Sequence, residues 1–247
     1  MARESGYGRS VSGNLTLADV LDDAALLSFE HQMHLSEVLG EHSFNVNLAE
    51  RRFEFRCAER TLVCTGMHML GSAAPGPQSW LWSWANPTGY PAEVVAVAKA
   101  VQEFGAHHGI TELAAAEVPF GAFGDDLEPH QVSWTMMELA KPISGHWTSY
   151  QGNVGNGTFV AFLVEHPELR LPPPSGPRLL RVLSQGVAEL ALTDHRRAVH
   201  SYLTRRGLAV AFAPNGESLR FDSPAVNGTV DFDEYGRMAG INGGMSA

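Results

Sequence analysis

Residues 61–86 read TLVCTGMHMLGSAAPGPQSWLWSWAN, and this stretch decides the fold class. Its two ends, 61–70 and 79–86, are short runs rich in apolar, β-branched and aromatic residues, which are typical of strands. The segment between them, GSAAPGPQ, is rich in Gly and Pro and is typical of a loop. The stretch therefore predicts two consecutive antiparallel strands.

The residues that precede this stretch predict a helix and a hairpin. Residues 44–57, FNVNLAERRFEFRC, place an apolar side chain at every second position in two runs, as strands do. Further upstream, Asn14 or Thr16 is a suitable N-cap for a helix that runs to Leu39 and ends at Gly40. Residues 15–86 are thus expected to form one helix and a four-strand meander, with the helix covering one face of the sheet.

Downstream, the pattern continues with helices and short strands rather than with alternating βαβ units, which indicates an α+β protein. We expect a curved antiparallel sheet packed by helices, with a cystatin-like arrangement as one form it could take, and a C-terminal helix plus hairpins. The proline-rich run LPPPSGP at 171–177 is the best linker candidate. The predicted organisation is a flexible tail (1–14), a helix and sheet domain (15–170), and a C-terminal unit (178–247) that could also pack on the same core.

The charge distribution narrows the classes of partner. The formal net charge is −10, and residues 61–169 alone carry 2 basic and 10 acidic side chains. Such a segment repels a phosphate backbone, so nucleic-acid binding is not expected. Arginines do cluster at positions 196, 197, 205 and 206, where the spacing favours a solvated helix face.

Composition also indicates a compartment. The sequence contains no run of 18 apolar residues and no apolar segment near its start, so neither a membrane span nor a secretory signal is expected. Cys57 and Cys64 are too few for a disulfide framework. We therefore expect a protein of the reducing cytoplasm, without a membrane partner.

Three tryptophans are the most unusual local feature. On a continuous strand, Trp80, Trp82, Trp84 and Asn86 would point to the same face, because side chains repeat every second residue. Such a row could be a wall of the core, or one wall of a cavity for an apolar ligand with Asn86 orienting it. An exposed patch for a protein partner is the third alternative.

The run from Leu70 to Pro87, LGSAAPGPQSWLWSWANP, resembles a bacterial domain family of unknown function. That family is marked by a Leu-Gly-Ser turn and a Trp-x-Trp-x-Trp-Ala-Asn-Pro strand, and the resemblance covers about residues 17–166. It implies a group of related domains but no activity, cofactor or site residue. Residues 171–247 show no such resemblance.

Histidines are the other candidates for chemistry. His31 lies in the apolar stripe of the first helix, between Leu27 and Leu35, where desolvation should keep its ring neutral. We expect His68, Ser83 or an indole N–H to bind it. His68 shares a predicted strand face with Cys64, but a lone Cys/His pair is weak evidence for zinc. The spacing predicts no metal site and no cofactor.

Three functions are compatible with these features. The first is the binding of a small apolar or aromatic ligand against the tryptophan strand. The second is a metal-free enzyme in the same pocket, with His31 or His68 and a nearby carboxylate as acid and base. The third is a protein-binding or inhibitor module whose acidic middle segment steers a basic partner.

Overall fold

The computed structural model describes residues 15–245. Its first helix begins as the sequence predicts. Thr16 is the N-cap, and its side chain and that of Asp19 form a reciprocal capping box with the backbone. Gly40 follows the last helical residue with a φ of 55°, which a residue without Cβ adopts readily. The predicted tail at 1–14 lies outside the described residues.

The described residues form six helices and twelve strands in an α+β arrangement. The helices are α1 Leu17–Leu39, α2 Ala92–His108, α3 Thr111–Ala114, α4 Pro129–Ser144, α5 Gly176–Glu189 and α6 His195–Arg205. The first eight strands are β1 His42–Asn47, β2 Arg52–Cys57, β3 Thr61–Val63, β4 Gly66–Ala74, β5 Ser79–Trp82, β6 Glu117–Pro119, β7 Ser149–Asn153 and β8 Phe159–Glu165. The C-terminal strands are β9 Ala209–Phe212, β10 Ser218–Asp222, β11 Val226–Phe232 and β12 Met238–Met245.

These strands pair in three antiparallel sheets. The orders are β1-β2-β3, β6-β5-β4-β8-β7 and β12-β11-β10-β9. Along β8, Phe162 and Val164 face the core shared with β1–β3, whereas Leu163 faces the core shared with α2 and α4. The five-stranded sheet is therefore covered by the three-stranded sheet on one face and by helices on the other. None of the helices in the described part of the chain has both the length and the apolarity to cross a membrane.

The predicted single meander is wrong in one respect. Its strands divide between two sheets, because the chain turns at Cys64 and Thr65 between β3 and β4 instead of continuing as one strand. The loop after β4 is also shorter than predicted. Residues 71–74 belong to the strand, where they pair with β5 on one side and β8 on the other.

Helix α1 contributes to all three apolar cores. Val20 packs with the core between the five-stranded sheet and helices α2 and α4. Leu26 and Leu27 pack with α5, α6 and the C-terminal sheet, and Leu35 and Leu39 pack with β1–β3. The α1 helix therefore packs against both N-terminal sheets and the C-terminal part of the chain.

The polar side of α1 is covered too. The Glu30 side chain is fully buried, with Arg206 Nε 3.0 Å from Oε2 and the Tyr202 hydroxyl donating to the same oxygen. Asp22 accepts bonds from the Thr193 hydroxyl and from the backbone of Asp194. The acidic positions of this helix thus bind the C-terminal part of the same chain.

The arginine cluster is consequently not a solvated helix face. Arg197 binds Asp23, with Nη2 to Oδ2 at 2.6 Å, and Arg206 pairs with buried Glu30. Arg205 lies over the ring of Trp147, and Arg196 lies over Phe232. The spacing correctly predicted a helix here. The acidic helix that Arg197 and Arg206 contact is α1, which lies about 170 residues earlier in the sequence.

Candidate functional site

The tryptophan tract lies in the core beneath α2 and α4. Trp80 and Trp82 are both fully buried, with ring centroids 5.5 Å apart in an edge-to-face arrangement. Gly71 on the neighbouring strand makes room for them, since a Cβ there would lie 2.6 Å from Cζ2 of Trp80. The Leu-Gly-Ser segment, expected to be a turn, is part of strand β4, and its glycine has a packing role, which is to let an indole lie against the strand backbone.

Trp84 and Asn86 do not share that strand face. The strand ends at Trp82, and Ser83–Ala85 form a turn of 3-10 helix that is anchored by the Ser83 hydroxyl on the carbonyl of Met69. Asn86 accepts a bond from the backbone of Thr88, which closes the next turn. The four residues proposed as a ligand wall thus divide into two core residues and two residues of a turn, and the cavities described below are lined by other side chains.

His31 lies in α1, half-buried, as its place in the apolar stripe predicts. Its ring stacks on Trp147 with centroids 6.3 Å apart, and its Nδ1 lies 3.4 Å from the Thr148 hydroxyl. Burial lowers the pKa of His31 to about 3, and the nearby charge of Lys141 acts in the same direction. This lowered pKa agrees with the expected neutral ring. Its partner is a threonine just before β7 and none of the three groups expected.

His68 is brought together with two residues that the sequence analysis did not single out. His146 follows the end of α4, and its ring lies 4.4 Å from that of His68, centroid to centroid. Glu165 is the last residue of β8, with Oε1 3.6 Å from His68 Nε2 and in direct contact with His146 Nδ1. One ligand atom from each residue lies within 4.8 Å of the other two. We call this trio the His-His-Glu cluster.

Local structure explains how these three side chains meet. Gly66 is the register partner of Glu165, and His68 is the partner of Leu163, so all four positions face the helices. A Cβ on Gly66 would lie 3.0 Å from Cδ of Glu165, so the missing side chain leaves the space that the carboxylate occupies. Gly145, with a φ of 76°, ends α4 and turns the chain so that His146 reaches the same edge.

The electrostatics of the cluster favour a neutral His68. Burial lowers the pKa of His68 and neighbouring His146 lowers it further, although Glu165 acts in the opposite direction. The Nδ1 atom of His68 is buried and has no hydrogen-bond partner among the described residues. Two imidazoles and a carboxylate in this arrangement can hold a divalent cation, or exchange a proton with a bound molecule.

A cavity of about 330 Å³ borders the cluster. His146 and Glu165 line it together with His31, Trp147 and Thr148. The two histidines singled out from the sequence are thus close to the same region, His31 on the cavity wall and His68 behind it in the cluster. His146 and Glu165 were missed because they are 78 and 97 residues from His68 in the sequence, and no local motif joins them.

A larger cavity of about 430 Å³ lies between α1 and α4. Its walls are mainly apolar, with Leu21, Ala25 and Phe29 from α1 and Leu190 from the end of α5. Trp134 of α4 completes the wall and is 42 % exposed, which is unusual for an indole in a folded chain. A volume of several hundred Å³ and a predominantly apolar lining are the usual properties of small-molecule sites.

Polar groups also line this cavity. Ser28 and Glu138 line it, and both bind Lys141, which is fully buried behind them. The ammonium donates to Ser28 Oγ at 2.6 Å and to Glu138 Oε1 at 2.7 Å, and it lies 5.5 Å from the ring centroid of Trp134. Burial lowers the pKa of Lys141, whereas Glu138 opposes that shift. In the sequence, Lys141 is distinguished only as one of the two basic side chains of residues 61–169.

The described residues therefore define an α+β protein with two cavities next to α1, one apolar and one bordered by histidines. The chain belongs to the group described as "Family of unknown function (DUF6882)", whose model matches residues 18–167. The resemblance seen in the sequence at about 17–166 is thus confirmed as membership of an uncharacterised domain family. Neither the curated proteins nor the solved structures gave a match.

Proposed function

We propose that this protein binds a small, uncharged, largely aromatic or apolar molecule in the cavity between α1 and α4. The class of ligand is the one predicted from the sequence. The tryptophan that lines the site is Trp134 instead of Trp80, Trp82 and Trp84. The observation that carries it is an apolar cavity of about 430 Å³ with a 42 % exposed indole at its edge.

The lining supports an uncharged ligand rather than an anion. Asp22 and Glu138 both contribute to the wall, and the cation that compensates Glu138 lies behind it. A ligand carboxylate or sulfonate would therefore approach carboxylates before it reached the buried ammonium. One hydrogen-bonding group on the ligand would suit Ser28, since this hydroxyl accepts from Lys141 and has its own hydrogen to donate.

A pair of fluorescent probes tests both the site and the charge preference. N-phenylnaphthylamine is neutral and becomes fluorescent in apolar sites, and anilinonaphthalene sulfonate has the same aromatic body with an added negative charge. We expect the neutral probe to bind and the sulfonate to bind more weakly. Substitution Trp134→Ala should weaken the neutral probe about tenfold, the order of one aromatic pair contact.

The matched control is Trp147→Ala, which removes the same side chain from the wall of the other cavity. This variant should bind N-phenylnaphthylamine as the parent protein does. Equal affinity for the two probes, or equal losses in the two tryptophan variants, would contradict the proposal.

The acid–base enzyme predicted as an alternative has one observation in its favour. Neutral His31 borders the 330 Å³ cavity, and the carboxylate of Glu165 lines the same space. In that case His31→Gln should keep near-native stability and lose turnover, whereas a structural His31 predicts a loss of stability. The third hypothesis, an acidic partner-binding module, rests on the charge of residues 61–169 and stays a prediction.

A further inference from the structure

We propose that His68, His146 and Glu165 form a binding site for a divalent transition-metal ion of the zinc class. This site is separate from the cavity between α1 and α4, and the inference does not depend on the ligand proposed there. It concerns the His-His-Glu cluster, in which a strand, a loop and a strand end each supply one side chain.

The donor set matches the chemistry of zinc. Two imidazole nitrogens and one carboxylate oxygen are the three protein ligands of one common type of zinc site, in which a fourth position is left for water or a bound molecule. Borderline-soft nitrogen ligands also select zinc-class ions over Mg²⁺ and Ca²⁺, which prefer oxygen. The cluster is therefore expected to prefer zinc-class ions to Mg²⁺ and Ca²⁺.

The distances allow closure around one ion by side-chain rotation. The three ligand atoms lie within 4.8 Å of one another, and Zn²⁺ requires bonds of about 2.0–2.2 Å, so the donors around one ion must settle roughly 3.3 Å apart. His68 Nε2 and Glu165 Oε1 approach slightly from 3.6 Å, and the direct contact between His146 Nδ1 and Glu165 Oε1 opens. Glu165 is 45 % exposed at its side chain and can make this movement. Its backbone is fixed, since the Thr65 amide and hydroxyl both donate to its carbonyl oxygen.

The cluster also has an unmet requirement that a cation would satisfy. The two imidazole rings lie 4.4 Å apart, and each neutral ring offers one nitrogen without a hydrogen that can bind a cation. The buried Nδ1 of His68 has no hydrogen-bond partner among the described residues. Buried polar atoms are seldom left in this state, and a bound ion is one of the partners that can satisfy them. Either ring nitrogen of His68 can be the ligand atom.

Space for a fourth ligand is present. His146 and Glu165 line the 330 Å³ cavity, while His68 lines a second cavity of about 300 Å³ together with Gly66. The cluster thus lies between two cavities, and a bound ion would keep a position open to one of them. His31 also lines the first cavity but is not a member of the ligand set.

Isothermal titration of the chelator-treated full chain with Zn²⁺ tests the proposal. We expect one equivalent to bind, and Co²⁺ in its place to give the visible absorption of a tetrahedral site. His146→Ala and Glu165→Gln should each weaken Zn²⁺ by more than the roughly 10–100-fold that loss of a residue behind the ligands costs. Neither side chain is fully buried, and Glu165→Gln keeps the shape, so both variants should fold.

The control is the double variant His107→Ala/His108→Ala, which removes two adjacent histidines from the end of α2 and should bind Zn²⁺ like the parent chain. The far-ultraviolet circular dichroism of each metal-free variant checks that it is folded. Absence of Zn²⁺ binding by the parent chain would overturn the proposal. So would unchanged affinity in Glu165→Gln, or an equal loss in the His107/His108 control.

Discussion

His31 shows how strongly one half-buried residue can couple folding to acidity. Its ring contacts Trp147 and Thr148, and none of the carboxylates in the described part of the chain bonds to it, so a charge there would not be compensated by these residues. Burial is the largest cause of its lowered pKa, followed by the positive charges of Lys141 and Arg206. The neutral form is therefore the one that the fold accepts.

We expect the protein to lose stability in acid through this residue. The pKa of His31 falls from 6.5 to about 3 on folding, so between these values the unfolded chain binds more protons than the folded one. The free energy of unfolding should therefore fall as the pH drops through that window, by up to about 1.4 kcal/mol per pH unit. Above the window neither state is protonated and the residue has no effect.

Urea unfolding between about pH 7 and pH 4 measures this slope. His31→Gln should make the curve flatter, because glutamine does not titrate, and it should lower the stability at neutral pH if the ring is structural. His130→Gln removes an exposed histidine from the first turn of α4 and should leave the slope as it is. An unaltered slope in His31→Gln would show that another group causes the acid sensitivity.

At the scale of elements, the start and end of α1 were predictable and its surroundings were not. Thr16, Asp19 and Gly40 are local signals, and each acts within four residues of the helix end it defines. The acidic positions opposite the apolar stripe suggest solvent, yet Glu30 is fully buried. Its arginine partners are Arg178 of α5 and Arg206 directly after α6, and a helical wheel carries no information on what packs against it.

The tryptophan tract shows a related limit. A period of two predicts the shared face of Trp80 and Trp82, but the same period continues through Trp84 although the backbone leaves the strand after Trp82. The His-His-Glu cluster was beyond sequence reasoning for a different reason. Its members are joined by strand pairing and by the turn after α4, not by spacing along the chain.

The end of the strand at Trp82 can be tested by mutation. Trp82 is fully buried and its indole donates to the carbonyl of Glu112, so Trp82→Ala should cost about 3–5 kcal/mol of unfolding free energy. Trp84 is only half-buried, in the turn that follows, and Trp84→Ala should cost clearly less. Urea unfolding followed by circular dichroism compares the two variants. Equal losses of unfolding free energy would indicate that Trp84 lies on the same buried strand face as Trp82, contrary to the structure.

At the scale of the whole molecule, the prediction of a separable C-terminal unit can be decided by cutting the chain. We expect a protease to cut within 171–177, where Pro172, Pro173 and Ser175 are exposed. The two pieces should stay together on gel filtration. Leu26 and Leu27 of α1 pack in the C-terminal core, and Glu30 pairs with Arg178 and Arg206 beyond the cut.

A chain made without residues 178–247 should be insoluble or molten. It would expose the apolar side of α1 and leave Glu30 without its cations, and loss of a partner from a buried ion pair costs about 3–5 kcal/mol. That is a large share of the roughly 5–15 kcal/mol that stabilises a typical domain. A monomeric, cooperatively unfolding fragment of residues 1–177 would show instead that residues 15–170 are an independent domain.

The bonds on the acidic side of α1 also constrain the order in which a newly made chain can fold. Asp22 meets Thr193 across 171 residues of sequence, and Glu30 meets Tyr202 across 172. During synthesis the first helix therefore leaves the ribosome long before the groups that neutralise its buried carboxylates exist. Until α6 has been made, these carboxylates must stay hydrated, and α1 cannot take its final place. Among the helices in the described part of the chain, α1 is thus the first to be translated and one of the last to be fully packed.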